Sequence, residues 1–143
     1  MSSNASVPAG GTEQDQPEPF RATSVGPSLT VKDIRSSVAW YRDVVGFTVH
    51  QEYEREGKLI AVALSAGDVR ILITQDNGAR GSDRVKGEGF SLRFTTKQNV
   101  DAIAKRIVER GGVLESEPAD VWGQRAFRLK DPDGFRMVIS SER

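Results

Sequence analysis

The second half of this chain repeats the first. Arg70, Leu72 and Ile73 return 66 positions later as Arg136, Val138 and Ile139. The Ala66-Gly67-Asp68 turn before them returns as Asp131-Pro132-Asp133-Gly134. Upstream, one helix-like run stops at Gly46 and a second stops at Gly111-Gly112. A long unit present only twice predicts one domain made of two similar halves with a cleft between them.

The elements follow from periodicity. Ser28 to Val31 alternates as a half-buried strand does. Asp33 suits an N-cap, and Ile34, Val38, Tyr41 and Val45 share one helix face. Strands are predicted at Phe47–Glu54, Leu59–Leu64 and Val69–Thr74, with turns at Gly57 and Ala66-Gly67-Asp68. The order then recurs. Phe90 to Thr95 alternates, Gln98 or Asn99 caps a helix presenting Val100, Ile103 and Ile107, and strands follow at Val113–Ser116, Gln124–Leu129 and Phe135–Ser140. The expected fold is α+β: two βαβββ units forming curved antiparallel sheets, each covered by its helix on the outer face and concave within. Unit one spans 24–75, a polar glycine-containing linker 76–87 and unit two 88–143. Residues 1–23 are rich in Ser, Gly, Pro, Gln and Glu and are expected to form a flexible tail, with only Val7 and Phe20 as anchors.

Composition removes several functional classes. There is no cysteine, hence no disulfide framework, thiolate nucleophile or Cys-ligated metal. No apolar run reaches membrane-spanning length, and the N-terminal stretch lacks a signal-peptide core. A cytoplasmic location is expected, with no membrane partner. Net charge is zero, and beyond the tail basic residues exceed acidic ones by only two, which is no nucleic-acid footprint.

The ordered set Leu29-Thr30-Val31-Lys32-Asp33-Ile34, Ser37, Trp40-Tyr41, Val45-Gly46-Phe47, Trp122-Gly123, Phe127 and Asp131-Pro132-Asp133-Gly134-Phe135 resembles the vicinal oxygen chelate superfamily. That group contains glyoxalase I, extradiol dioxygenases, fosfomycin-resistance enzymes and bleomycin-resistance proteins. The resemblance runs from about Gly26 to Ser141. It implies that catalytic members hold a divalent metal with one His, Gln or Glu from each of four inner strands. Those places fall here on Gly26, Leu72, Ser91 and Val138. A slip of one residue brings in only Val25, Pro27, Ile71, Ile73, Phe90, Leu92, Met137 or Ile139. None of these is a competent ligand for a hard divalent ion, which needs several N or O donors. No metal site and no cofactor are therefore expected.

Strand parity assigns the cleft. With Leu29 and Val31 on the helix side, Ser28 and Thr30 face inward, as do Arg70, Leu72 and Thr74. Unit two contributes Ser91, Arg93, Thr95, Arg136, Val138 and Ser140. Regular pairing in the last hairpin sets Phe127 against Val138 and adds it to an apolar floor. Trp122 stands at the rim as a platform for a planar ligand or as a core or dimer contact. The ligand-binding set is thus Thr30, Arg70, Leu72, Ser91, Arg93, Trp122, Phe127, Arg136 and Val138. The arginines suit a carboxylate, phosphate or phenolate. His50, the only histidine, is read as an edge-strand residue with no partner. Trp40 and Tyr41 are read as packing residues, and the Asp131–Gly134 run as turn chemistry. No catalytic residue is assigned.

The function this predicts is metal-independent sequestration of a small aromatic molecule, anionic or neutral, by a homodimer similar to bleomycin-resistance proteins, an antibiotic-resistance class. Two alternatives stand beside it. One is a glyoxalase- or dioxygenase-like lyase or isomerase with a non-standard metal site or none. The other is a non-catalytic partner-binding module.

Overall fold

Asp33 starts the first helix by accepting hydrogen bonds from the Arg35 and Ser36 amides at 3.1 and 3.2 Å. The computed structural model describes residues 18–81 and 83–142. Most of the expected tail lies outside them; within them, Phe20 is 91% exposed and anchors nothing.

Unit one runs β1 (Ser28–Val31), α1 (Ile34–Ala39), a π-helical turn (Trp40–Val45), β2 (Thr48–Arg55), β3 (Lys58–Ala66) and β4 (Val69–Gln75). Unit two runs β5 (Ser91–Thr96), α2 (Val100–Glu109), β6 (Leu114–Val121), β7 (Gln124–Lys130) and β8 (Arg136–Ser141). The sheet orders are β1-β4-β3-β2 and β5-β8-β7-β6. The βαβββ repeat and the α+β class are as the sequence implies. The sheets are mixed rather than antiparallel: β1 pairs β4 and β5 pairs β8 in parallel. In each unit the chain crosses back through its helix before the meander, so the first strand enters beside the last in the same direction.

Two details depart from the periodicity reading. Beyond Ala39 the first helix widens, and the Gly46 and Phe47 amides both donate to the Tyr41 carbonyl at 2.9 Å. Strand β6 also runs past Ser116 to Val121. Pro118 looks like a break, but β6 is a sheet edge with an irregular register there, and an edge strand tolerates the missing N–H.

Leu29, Val31, Val62, Leu64, Ile71 and Ile73 pack under the first helix, while Phe127, Leu129, Met137 and Ile107 fill unit two. The two halves meet through their helices. A Cβ on Gly112 would lie 2.5 Å from Ile107 Cγ2 and 2.8 Å from Val44 Cγ1, so only glycine admits that approach. Edge-to-face rings continue the contact, with Tyr41–Phe47 centroids at 5.5 Å and Phe47–Phe94 at 5.8 Å.

The turn of unit two is clamped onto unit one. Tyr41 Oη donates to Asp131 Oδ2 at 2.7 Å, wholly buried. The other oxygen, Oδ1, accepts from the Asp133 and Phe135 amides at 2.9 and 2.8 Å. Asp133 in turn accepts from the Lys32 amide at 2.8 Å and from Ser37 Oγ at 3.3 Å. The Asp131–Gly134 run is therefore turn chemistry, as read, and also a bridge between the halves.

Removing the Tyr41 hydroxyl strands one buried carboxylate oxygen. Tyr41→Phe should lower the unfolding free energy by about 1–3 kcal/mol in urea titration, whereas Arg42→Ala, on the solvent side, should stay within about 0.5 kcal/mol. A Tyr41→Phe loss as small as the Arg42→Ala loss would show that the clamp contributes nothing.

Candidate functional site

Alternation places Leu29, Val31, Ile71 and Ile73 under the helix and turns Ser28, Thr30, Arg70, Leu72 and Thr74 to the opposite, concave face of sheet one. The parallel register sets Ser28 beside Leu72 and Thr30 beside Thr74. The two threonine hydroxyls hydrogen-bond each other at 3.0 Å. Across β3, Ala63 opposes Leu72 and Ala61 opposes Thr74, which keeps this floor shallow and apolar.

Sheet two presents Ser91, Arg93, Thr95, Arg136, Val138 and Ser140 on its concave face, with Arg93 beside Val138 and Ser91 beside Arg136. Phe127 is not among them. It pairs with Ile139, is 1% exposed and belongs to the core. The five-residue turn Asp131–Phe135, closed by the Asp131 amide on the Phe135 carbonyl at 2.9 Å, shifts the hairpin register by one from regular pairing. That shift turns Gln124, Ala126 and Arg128 onto the concave face instead. The signal was present: Phe127 and Leu129 alternate with Arg128 and Lys130, and alternation alone places Phe127 in the core.

A hollow of about 180 Å³ in sheet two is lined by Phe90, Ser91, Glu115, Arg128, Arg136 and Val138, among others. Glu115 lies 3.4 Å from Lys130 and 3.9 Å from Arg136. Arg93 donates to the neutral Gln124 Oε1 at 2.7 Å. Among the described residues, neither Arg93 nor Arg128 nor Arg70 forms an ion pair. The concave face of sheet two therefore carries excess positive charge. The hollow in sheet two is lined by residues of unit two alone.

Trp122 occupies the tip of the β6–β7 hairpin, 87% exposed, at φ 51° and followed by Gly123 at φ 81°. Both central residues lie in the left-handed region, as a type I′ turn demands. The same geometry recurs at Glu56-Gly57, the repeat-related turn, at φ 52° and 75°. An aromatic residue at positive φ is strained, and here the exposed indole stands at the end of the sheet where Gln124 begins β7. His50 is exposed on β2, an edge strand.

A second, larger hollow of about 690 Å³ lies at the junction of the halves, where sequence reasoning placed nothing. It borders the Lys32–Ser37 corner and the Asp133 turn. Lys86 from the linker is buried there, 2.9 Å from Asp76 and 3.6 Å from Asp133, and Arg84 lies 3.3 Å from Asp76. These groups neutralise one another and pin the linker across both units. Such pairings link segments far apart in the chain, and no local pattern announces them.

The four places where the family would hold its metal carry Gly26, Leu72, Ser91 and Val138. Leu72 and Val138 are half-buried hydrocarbons, and Arg93 pairs with Val138 across the two strands. This donor set does not fit a divalent ion, and a fixed positive charge beside it repels one. Nor do three or more His, Asp or Glu side chains come together elsewhere among the described residues in a way that could hold a metal.

Residues 23–139 match the Glyoxalase/Bleomycin resistance protein/Dioxygenase superfamily, and the chain belongs to that family. Among solved structures it is similar to TioX from Micromonospora sp. ML1, with a TM-score of 0.69, 17% identity, and coverage of 85% of this chain and 100% of that one. It is also similar to a superfamily member from Sphaerobacter thermophilus, with a TM-score of 0.68, 22% identity, and coverage of 85% and 98%. A third is UcmS2, with a TM-score of 0.70, 16% identity, and coverage of 85% and 98%. At these identities the likeness is one of fold. No curated protein matches the sequence. No described helix is long and apolar enough to cross a membrane.

The junction cluster gives a pH signature. The Lys86 ammonium, helped by the Gly78 amide, holds the Asp76 carboxyl down at about 2 from an ordinary 3.8. A lowered folded-state value means that the stabilisation is present above the ordinary value and is lost as pH falls from about 4 to 2. Burial pushes Asp131 the other way, so its protonation favours the fold on acidification and opposes that loss. Asp76→Asn should flatten the fall in melting temperature between pH 4 and 2; an unchanged acid limb would remove Asp76 from the account.

Proposed function

We propose that this protein binds a small aromatic molecule, anionic or neutral, in its concave faces without a metal, and acts by holding the ligand rather than turning it over. The observation that carries this reading is the substitution of the family's ligand places by glycine, leucine, serine and valine, with Arg93 beside one of them. The chemistry that a metal supplies, polarising vicinal oxygens or activating dioxygen, has no donors to support it there. What remains is a recognition surface: apolar floors at Leu72 and Val138, polar Thr30 and Ser91, the guanidinium groups of Arg70, Arg93 and Arg136, and the exposed Trp122 indole as a stacking platform. Arginine edges select planar anionic oxygens, and its face stacks on aromatic rings.

The same reading makes the working species a homodimer. The hollow of sheet two is lined by residues of one half alone, and Tyr53, Phe90 and Val121 are each 42–45% exposed. Setting sheet one of one copy against sheet two of another would close a site and cover these side chains.

A thermal-shift screen of substituted benzoates, phenolates, neutral aromatics and bleomycin, with and without EDTA, tests the reading, because a ligand specific to the native state raises the melting point. Expected are shifts from the anionic or neutral aromatics that EDTA leaves unchanged, quenching of Trp122 fluorescence by the same compounds, and a light-scattering mass twice the 15.7 kDa chain. Stabilisation by bleomycin alone, or shifts abolished by EDTA, would overturn it.

A further inference from the structure

The repeat allows the two hollows to be compared position by position. Thr95 and Ser140 face each other across β5 and β8 as Thr30 and Thr74 do across β1 and β4. In unit one the paired hydroxyls satisfy each other. In unit two the Ser140 hydroxyl is fully buried, 0% exposed, and has no hydrogen-bond partner. Buried polar groups are normally paired, so an orphan calls for an explanation.

Register supplies it. Arg93 on β5 is level with Val138, and Gln124 on β7 lies two residues from Ala126, the partner of Ser140. The Arg93–Gln124 hydrogen bond therefore crosses β8 at the level of Ser140. Gln124 is itself 7% exposed and is held by its amide on the Ser141 carbonyl at 2.8 Å. In unit one, Ser28 and Leu59 stand at the register positions of Arg93 and Gln124, and no such bridge forms.

We infer that Arg93, Ser140 and Gln124 form a carboxylate subsite on the concave face of sheet two, beside its hollow; this deepens the binding reading above and rests on it. An incoming carboxylate displaces the neutral Gln124 oxygen from Arg93, and the opened bridge exposes the Ser140 hydroxyl as a second donor. The exchange is favourable because a carboxylate adds the attraction of opposite charges and a bidentate geometry to the hydrogen bond, which a neutral amide oxygen does not. One guanidinium edge and one hydroxyl match the two oxygens of a carboxylate. A phosphate brings a third oxygen and a second charge, which one guanidinium edge and one hydroxyl leave unmatched. The subsite occurs once per chain, since unit one lacks the arginine.

Calorimetric titration with benzoate, benzamide and phenyl phosphate tests it on the full chain. Benzoate should bind about tenfold or more tightly than benzamide. Arg93→Met should reduce benzoate to the benzamide level without altering benzamide, while Lys105→Met on the outer helix should change neither. Ser140→Ala should weaken benzoate several-fold and yet raise the melting temperature of the unliganded protein, because it deletes an unpaired buried hydroxyl. Equal binding of benzoate and benzamide, an unaltered Arg93→Met, a lowered melting temperature in Ser140→Ala, or tighter binding of phenyl phosphate than of benzoate would each overturn the subsite. Equal binding would leave the broader small-molecule reading standing. Binding of neither compound would also overturn the subsite, with the broader reading then judged by the thermal-shift screen alone.

Discussion

The arrangement of this molecule depends on a turn of unit two being held by the helix of unit one. Asp131 uses one carboxylate oxygen to fix its own turn and the other to accept from Tyr41. Asp133 extends the clamp to the Lys32 amide and Ser37. With the Gly112 approach of the helices, these bonds join the halves along their convex sides. Both concave faces are then left open to solvent. The inter-unit geometry thus decides where a ligand can be met, although none of the clamp residues lines the hollow of sheet two.

The two halves have kept their backbone and diverged in their hollows. Strand order, parallel pairing and the type I′ turns repeat closely. Where unit one has a mutually satisfied pair of threonines and a floor of alanines, unit two has arginines and a serine without a partner. Sheet one is the more apolar wall, with Arg70 as its charged residue on β4. Sheet two carries the charge and the unspent hydrogen-bonding capacity. A surface of that kind recognises a polar end of a molecule on one side and its ring on the other.

Much of the fold could be read from the sequence because the signals are local. Asp33 and Asn99 cap the helices they precede, and alternation around Leu29, Leu72 and Val138 gave the correct faces. The parallel pairings and the π-helical turn carry no such signal, since each depends on how distant segments settle. Phe127 went to the wrong side because a five-residue turn moved the register by one, and a strand displaced by one residue exchanges its faces. The same slip hid Gln124 and Arg128. Tyr41 was recognisable as a packing residue, but its bond to Asp131, 90 residues away, was not.

The account turns on the donor poverty of the hollows, and metal stoichiometry tests that most directly. The purified protein would be incubated with Mn(II), Fe(II), Co(II), Ni(II) and Zn(II) in turn, desalted, and assayed for metal by elemental analysis. Leucine and valine at the central positions, with Arg93 on the neighbouring strand, predict that none is retained in stoichiometric amount. One tightly held ion per chain would contradict the account and return the molecule to the family's metal-dependent chemistry.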